Sequence, residues 1–192
     1  MSAPARGETP PSSFELVAPT DALAHTRAGL EQLLNVRATA LLSQLEVVHG
    51  VHALQRAVLA ALRTLGELCR VERSYVILLN AAGAELAFML EWVAPGVQRH
   101  DYSALHGVPV SAFPWSMRQF LANQHVTVEH PAQLPEEAHA ERETCSAMNI
   151  LSYVNVPVFA GAALIGWLGL DSVSSGGQPW RRELPALLSV RD

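Results

Sequence analysis

Lysine is missing from the chain altogether: of its 192 residues, 13 are of the Lys or Arg type, and every one of them is arginine. A Walker-type phosphate loop, a pyridoxal Schiff base and a lysine nucleophile all need the ammonium group of a lysine. The sequence therefore excludes these kinds of enzyme.

Positive charge is scarce as well. The 18 acidic residues outnumber the arginines and give a formal net charge of -5. Because a surface of this sign disfavours contacts with phosphates, we expect no nucleic-acid partner. The cysteines are limited to Cys69 and Cys145, which lie far apart, and the chain begins without the apolar segment of a secretory signal. These features predict a cytoplasmic protein.

Charge is absent from one long stretch, residues 144–170, which exceeds the roughly 18 residues that suggest a membrane helix. Polar residues and a proline interrupt this stretch at Asn149, Ser152, Asn155 and Pro157. The segment Phe159-Ala160-Gly161-Ala162 is typical of a turn between two strands. We therefore predict a buried hairpin and no membrane partner.

The length allows one domain with an N-terminal extension. Residues 1–19 are rich in proline and small residues and predict a disordered leader. Residues 20–50 predict an N-terminal helix, and residues 51–192 form the remaining domain. One apolar seam of this helix has the spacing of a short coiled coil, at Leu34, Ala38, Leu41, Leu45 and Val48. The seam predicts a homodimer, with packing on its own domain as the alternative.

From residue 71 the hydrophobic pattern changes from helical to extended. Two strands, around residues 75–79 and 85–92, form a hairpin with a glycine-containing turn. The elements predicted next are an irregular segment (107–114), a helix (116–123), a strand (126–128), a helix (134–148), a hairpin (151–159 with 164–171) and a terminal helix from Pro179. This order predicts an antiparallel α+β domain.

Several short motifs occur in a characteristic order between residues 54 and 190. They are residues 62–68 leading into 71–76, Glu91-Trp92 before Pro95-Gly96-Val97, Phe113-Pro114-Trp115, residues 134–138, Val156-Pro157-Val158 and residues 164–172. No single motif is diagnostic. In this order and spacing they resemble GAF domains, the small-molecule sensing modules related in fold to PAS domains and found beside histidine kinases and diguanylate cyclases.

The resemblance implies a GAF/PAS-like six-stranded antiparallel sheet flanked by helices, with residues 51–192 as the GAF domain. One face would pack on the N- and C-terminal helices, and the excursion of residues 107–148 would enclose a pocket on the other. The implied function is non-catalytic sensing of an unknown small molecule, with the signal passed through the flanking helices to a kinase or cyclase effector. The alternative is a ligand-free module for dimerisation or protein docking.

The pocket candidates are aromatic residues, which supply apolar walls, and polar residues on the strands beside them. They are Glu91, Trp92, Phe113, Trp115, Tyr153, Asn155 and Asp171. The competing interpretation is that the aromatics form core and that the acids cap helices or pair with arginine.

A metal site is not expected, although the chain has eight histidines. The combination of His125, His130, His139 and Cys145 lacks the His-Glu-x-x-His or Cys-x-x-Cys spacing that holds a tetrahedral metal. We therefore predict no metal and no cofactor, with haem bound through one of the histidines as the alternative.

Other known activities of GAF domains are less favoured. Photoreceptor members attach a bilin to a cysteine followed by histidine, whereas Ser146 follows Cys145 here. Members that reduce free methionine sulfoxide attack with a cysteine where this chain has Phe113-Pro114-Trp115, and Cys69 is expected to be buried and inert. Cyclic-nucleotide binding is disfavoured because its signature needs a lysine, although Asp171-Ser172 lies near the expected acidic pair.

Overall fold

The computed structural model describes residues 47–99 and 105–189. The elements in these ranges are α1 (Val47–Cys69), β1 (Arg73–Leu79), β2 (Leu86–Val93), α2 (Pro114–Leu121), β3 (Val126–Val128), α3 (His139–Ala147), β4 (Ser152–Ala160), β5 (Ala163–Ser172) and α4 (Leu184–Leu188). The leader predicted for residues 1–19, most of the helix predicted for 20–50 and the seam residues Leu34, Ala38, Leu41 and Leu45 lie outside the described residues.

The strands form one antiparallel sheet in the order β2-β1-β5-β4-β3. The described residues thus contain five strands, and the sixth strand implied by the resemblance is not confirmed. In the segment after β2, Pro109 forms only an isolated bridge with Glu85, and a turn of 3-10 helix follows at Val110–Ala112. A proline has no N–H to donate to a ladder, which limits strand formation at this point.

The helix α1 covers one face of the sheet. Its buried residues recur every three or four positions, at Leu54, Val58, Leu62, Leu65 and Cys69. They share an apolar cluster with alternate residues of β1, β4 and β5 and with Leu187 of α4. The expectation that the helices flanking the domain pack on one face is therefore confirmed by this cluster.

A Schellman motif ends α1. Arg70 adopts a left-handed conformation with φ 55°. The Val71 N–H donates to the Gly66 carbonyl at 3.0 Å, and the Arg70 N–H donates to the Glu67 carbonyl at 3.4 Å. These bonds satisfy carbonyls at the end of the helix and turn the chain directly into β1.

The opposite face of the sheet carries a second apolar cluster. Residues of β1 and β5 meet there with α2, β3 and α3, and with the turns that precede α3. The prediction that residues 107–148 cover this face is therefore confirmed.

Two predicted helices are shorter in the structure. The segment expected to be helical from residue 134 contains a 3-10 turn, Glu136–Ala138, and α3 begins only at His139. Ala138, with φ -90° and ψ 34°, is outside the α-helical conformation and separates this turn from α3. The terminal helix begins at Leu184 rather than near Pro179, and residues 179–183 form turns in which Trp180 is fully buried.

The uncharged stretch from residue 144 to 170 is divided between α3 and the β4–β5 hairpin, whose turn contains Gly161 with φ 62°. The predicted buried hairpin is therefore confirmed. Within the part of the chain that the structure describes, no helix has both the length and the apolar character needed to cross a membrane.

Candidate functional site: a cavity between the sheet and the excursion

Cross-strand rows of side chains form the floor of the site. One row joins Arg73 of β1 to Asp171 of β5 and Tyr153 of β4. The next row joins Glu91 of β2, Tyr75 of β1, Gly169 of β5 and Asn155 of β4. Because side chains alternate between the faces of a sheet, both rows point toward α2 and α3.

A cavity of about 90 Å³ lies between these rows and the two helices. Its walls are largely apolar and include Ile77, Phe113, Phe120, Ile150 and Trp167. Hydroxyl, thiol, amide and carboxyl groups interrupt this lining at Tyr75, Ser116, Glu141, Thr144, Cys145, Tyr153, Asn155 and Asp171. An apolar cavity with a few convergent polar groups is the usual form of a small-molecule site.

The structure brings four of the predicted site residues together in the cavity lining: Phe113, Tyr153, Asn155 and Asp171. Glu91 lies on the same face, is buried, and stands opposite Tyr75 in the β1–β2 register. Trp115 is half-buried and packs on the second cluster from α2. Trp92 lies on the other face, packed against the α1 cluster beside Gly66.

Four lining residues with hydroxyl or carboxyl groups were missed from the sequence: Tyr75, Ser116, Glu141 and Thr144. The sequence did contain an indication for Tyr75. Gly169 lies opposite it on the neighbouring strand, and a glycine within a strand often marks the close approach of another group. Glu141 and Cys145 are both buried on α3, at i and i+4. That spacing places them on one helix face, which could have identified Glu141.

Tyr75 links two residues of the floor. Its hydroxyl lies 3.0 Å from Oδ1 of Asn155 and 3.1 Å from Oδ1 of Asp171. The ring occupies the space above Gly169, where a Cβ atom would overlap it. A phenol carries one hydrogen, so a carboxyl group that keeps its proton can supply the second of these contacts.

The carboxyl group of Asp171 is suited to keep its proton. Burial raises its pKa from 3.8 to about 7, and the negative charge of Glu91 acts in the same direction. The hydrogen bond from Tyr75 and the positive charge of Arg73 oppose the shift without cancelling it. Near neutral pH this group can therefore change its charge in response to another charge in the cavity.

The raised pKa predicts that Asp171→Asn flattens part of the pH dependence of stability. Between about pH 4 and 7 the folded chain holds a proton on Asp171 that the unfolded chain has released. The free energy of unfolding of the wild type therefore falls as pH rises through this window, by about 2–4 kcal/mol relative to the variant. Urea denaturation of both chains from pH 4 to 8 measures this difference, and parallel curves would contradict it.

Glu72 affects the pH dependence of stability in the opposite direction and at lower pH. Burial alone would raise the pKa of Glu72, but hydrogen bonds from Ser174, the Val173 N–H and Ser172 outweigh it and hold the pKa below 4.5. Its contribution to stability is lost as pH falls through this lowered pKa. The contribution is common to wild type and Asp171→Asn, so it cancels in their difference.

Arg73 closes one end of the floor. It is 4% exposed, and its guanidinium donates from Nη1 to the Met148 carbonyl at 3.0 Å and from Nη2 to the Gln98 carbonyl at 3.3 Å. These bonds tie β1 to the end of α3 and to the segment after β2. The arginine therefore connects the polar floor to the chain that surrounds the cavity.

Glu141 joins α3 to the start of α2. Its Oε1 accepts the backbone N–H of Ser116 at 2.8 Å, while Pro114, the first residue of α2, has no N–H to offer. The carboxylate thus accepts a hydrogen bond from an N–H of the first turn, and the positive end of the helix dipole stabilises its negative charge. The other oxygen, Oε2, is buried and has no hydrogen-bond partner in the structure.

Both thiols are in environments that suppress reactivity. Burial raises the pKa of Cys145 to about 12, with further effects of Asp171 and Glu141, and burial followed by Glu183 raises the pKa of Cys69 to about 12. The thiolate is the nucleophilic form of cysteine. Neither side chain is therefore prepared to attack a sulfoxide or to attach a chromophore.

The described part of the chain contains no group of three or more His, Cys, Asp or Glu side chains placed to hold a metal ion. His139 lies 3.4 Å from Glu143 in an exposed i,i+4 pair.

Residues 53–190 match the family model of the GAF domain. The chain therefore belongs to the GAF domain family, which confirms the resemblance and agrees with a domain that is not an enzyme. No curated protein sequence matches the chain.

Solved structures with the same fold include the following three domains. The GAF domain of a cyanobacterial phytochrome with bound phycocyanobilin is 14% identical, with a TM-score of 0.59 over 91% of this chain and 90% of that chain. A far-red-absorbing dark state with bound biliverdin is 17% identical, with a TM-score of 0.56 over 89% and 93%. A domain of a Sinorhizobium meliloti sensor histidine kinase is 16% identical, with a TM-score of 0.50 over 76% and 85%. At these identities the likeness shows the fold.

Proposed function

We propose that this GAF domain is a non-catalytic cytoplasmic sensor that binds a small molecule in the cavity between the sheet and the α2–α3 excursion. In this proposal the flanking helices pass the signal to a kinase or cyclase effector in a two-component type of pathway, and the chain acts as a homodimer. The observation that carries the proposal is the cavity itself, in which buried polar groups converge within an apolar lining.

The size of the cavity favours a ligand much smaller than a tetrapyrrole. Its volume of about 90 Å³ is below the roughly 150 Å³ of an engineered apolar cavity that holds benzene. The bilins bound by two of the structural neighbours are far larger. The buried, protonated thiol of Cys145 also disfavours covalent attachment of such a group.

The polar groups disfavour an anionic ligand such as a cyclic nucleotide. Among the described residues that line the cavity, Glu141 and Asp171 are acidic, and none is arginine or histidine. The lack of lysine in the whole chain removes the remaining cationic side chain. A phosphate in this cavity would therefore face two carboxyl groups, and Arg73 at the end of the floor already donates to two backbone carbonyls.

A route for the signal runs through the sheet. Strand β1 carries Tyr75 and Ile77 on its cavity face and Val76 and Leu78 on its other face, where they join the cluster of α1. A ligand that displaces the floor therefore acts on a strand that contacts α1 directly. Such a ligand shifts the population between two arrangements of the helices if it binds one of them more tightly.

Filling the cavity tests the proposal. Thr144 lines it from α3, and its hydroxyl donates to the Ala140 carbonyl one turn earlier at 2.9 Å. Thr144→Met places a longer side chain in the ligand space, and we expect ligand affinity to fall by about tenfold or more, or at least 1.4 kcal/mol. Thermal shift of wild type and variant with a panel of small metabolites gives the measurement.

Thr64 of α1 supplies the matched control, because its hydroxyl makes the same bond to the carbonyl one turn earlier, Ala60, at 3.0 Å, outside the cavity. Thr64→Met should respond to ligand as the wild type does. A metabolite that stabilises Thr144→Met and wild type equally would contradict binding in this cavity. Stabilisation of the wild type by none of the metabolites would favour a ligand-free docking module.

A further inference from the structure

We propose that the ligand of this cavity is a small organic cation with N–H donors, held by the buried carboxylate of Glu141. The inference deepens the proposed function, since it rests on the cavity being a small-molecule site. It adds the charge and the hydrogen-bonding character of the ligand, and it assigns a ligand-binding role to Glu141.

The first observation is an unmatched acceptor. Glu141 is 4% exposed, and Oε1 is used by the Ser116 N–H at 2.8 Å, but Oε2 has no partner. A buried polar atom without a partner is unfavourable, and more so when it carries charge. Since Glu141 lines the cavity, a donor placed there that reaches Oε2 would satisfy this oxygen.

The second observation is the sign of the charges at the cavity. Asp171 also lines it, and the charges of Glu141 and Asp171 both raise the pKa of Cys145 and that of Tyr153, so these side chains lie within one electrostatic neighbourhood. The buried cation of the floor, Arg73, directs two of its nitrogens to backbone carbonyls. Among the described residues, the cavity lining contains two acidic side chains and no cationic one, which favours a cationic ligand over an anionic one.

The third observation concerns what such a cation would gain. A bond from N⁺–H to a carboxylate is roughly twice as strong as one between neutral groups, and burial strengthens it further. A cation in the cavity would also favour the ionised form of Asp171, whose pKa of about 7 allows ionisation at little cost near neutral pH. A ligand smaller than benzene fits the volume of about 90 Å³.

Three isosteric probes of different charge test the inference: acetamidinium, acetamide and acetate. They share one planar shape, so charge and N–H donors are what distinguish them. Isothermal titration calorimetry of the full chain at pH 7.5 should detect binding of acetamidinium, much weaker binding of acetamide and none of acetate.

Glu141→Gln removes the charge while its amide oxygen can still accept the Ser116 N–H. We expect acetamidinium to bind this variant about 10- to 100-fold more weakly than the wild type, the loss of one charge-assisted hydrogen bond. Glu143→Gln is the matched control, because Glu143 lies on the same helix and is exposed. It should bind acetamidinium as the wild type does. If Glu141→Gln does not fold, Asp171→Asn replaces it and should also weaken binding.

Several results would overturn the inference. They are acetate or acetamide binding as tightly as acetamidinium, equal binding of acetamidinium by wild type and Glu141→Gln, and no binding of acetamidinium to the wild type. The proposed function would survive each of them if another metabolite binds the wild type and fails to bind Thr144→Met. Both the proposed function and the inference would fail if Thr144→Met, which fills the cavity, binds every tested small molecule as the wild type does.

Discussion

Trp180→Ala is expected to lower the free energy of unfolding by about 3–5 kcal/mol, among the largest effects of any single substitution in this chain. The indole is fully buried among residues of α1, the sheet and α4. It enters that cluster from the loop between β5 and α4. Its removal leaves a large cavity where residues of α4 pack on the domain, so urea denaturation should show a much lower midpoint.

Two control variants separate burial from hydrogen bonding. The Trp180 Nε1 atom is buried and has no hydrogen-bond partner, so Trp180→Phe keeps most of the packing and removes an unsatisfied donor. We expect it to cost less than half as much as Trp180→Ala. Leu121 is 69% exposed, and Leu121→Ala should change stability by about 0.5 kcal/mol or less. Equal losses in Trp180→Ala and Leu121→Ala would contradict the packing described here.

Gly166→Ala is expected to destabilise the sheet at its centre by about 3 kcal/mol, the upper end of the usual range for overpacking. A Cβ atom at Gly166 of β5 would overlap the carbonyl of Ile77 on the neighbouring strand β1. That carbonyl is backbone, so no change of rotamer can relieve the overlap. Either the β1–β5 ladder must shift or the chain must unfold, and thermal denaturation followed by circular dichroism measures the loss.

Gly161 in the turn of the same hairpin gives the comparison. It has φ 62°, but a Cβ atom there would meet nothing within 4 Å. Gly161→Ala should therefore cost only the strain of a left-handed residue, about 1–2 kcal/mol. A smaller loss in Gly166→Ala than in Gly161→Ala would show that the strands are not as close as the structure places them.

The sequence predicted the strands well because their hydrophobic residues form short runs between turn signals. It predicted the polar floor in part, since Tyr153, Asn155 and Asp171 all point to the cavity face. It also proposed two adjacent residues of β2, Glu91 and Trp92, as pocket candidates. Side chains alternate along a strand, so two neighbours face opposite sides of the sheet.

Glu141 could not be recognised from composition alone. Glutamates on short amphipathic helices usually face solvent, as Glu143 does, and only the packing of α3 against α2 buries Glu141. The start of α3 was likewise not predicted, because Ala138 is outside the α-helical conformation within a segment that otherwise has helical character.

The structural neighbours and this chain share a fold. Two neighbours hold bilins, whereas the cavity here is small and carries carboxyl groups. The thiol on its α3 helix is buried and its pKa is raised. In our proposal, the fold provides the position of the site, and the side chains of this chain define which molecules it favours.

Native mass spectrometry most directly tests whether the cavity is a small-molecule site. The full chain and Thr144→Met would each be incubated with the small-molecule fraction of a cell extract, freed of unbound material and measured side by side. We expect the wild type to carry an additional small mass that Thr144→Met lacks. A wild type found only at the mass of the bare chain, or the same additional mass on both proteins, would contradict a ligand in this cavity.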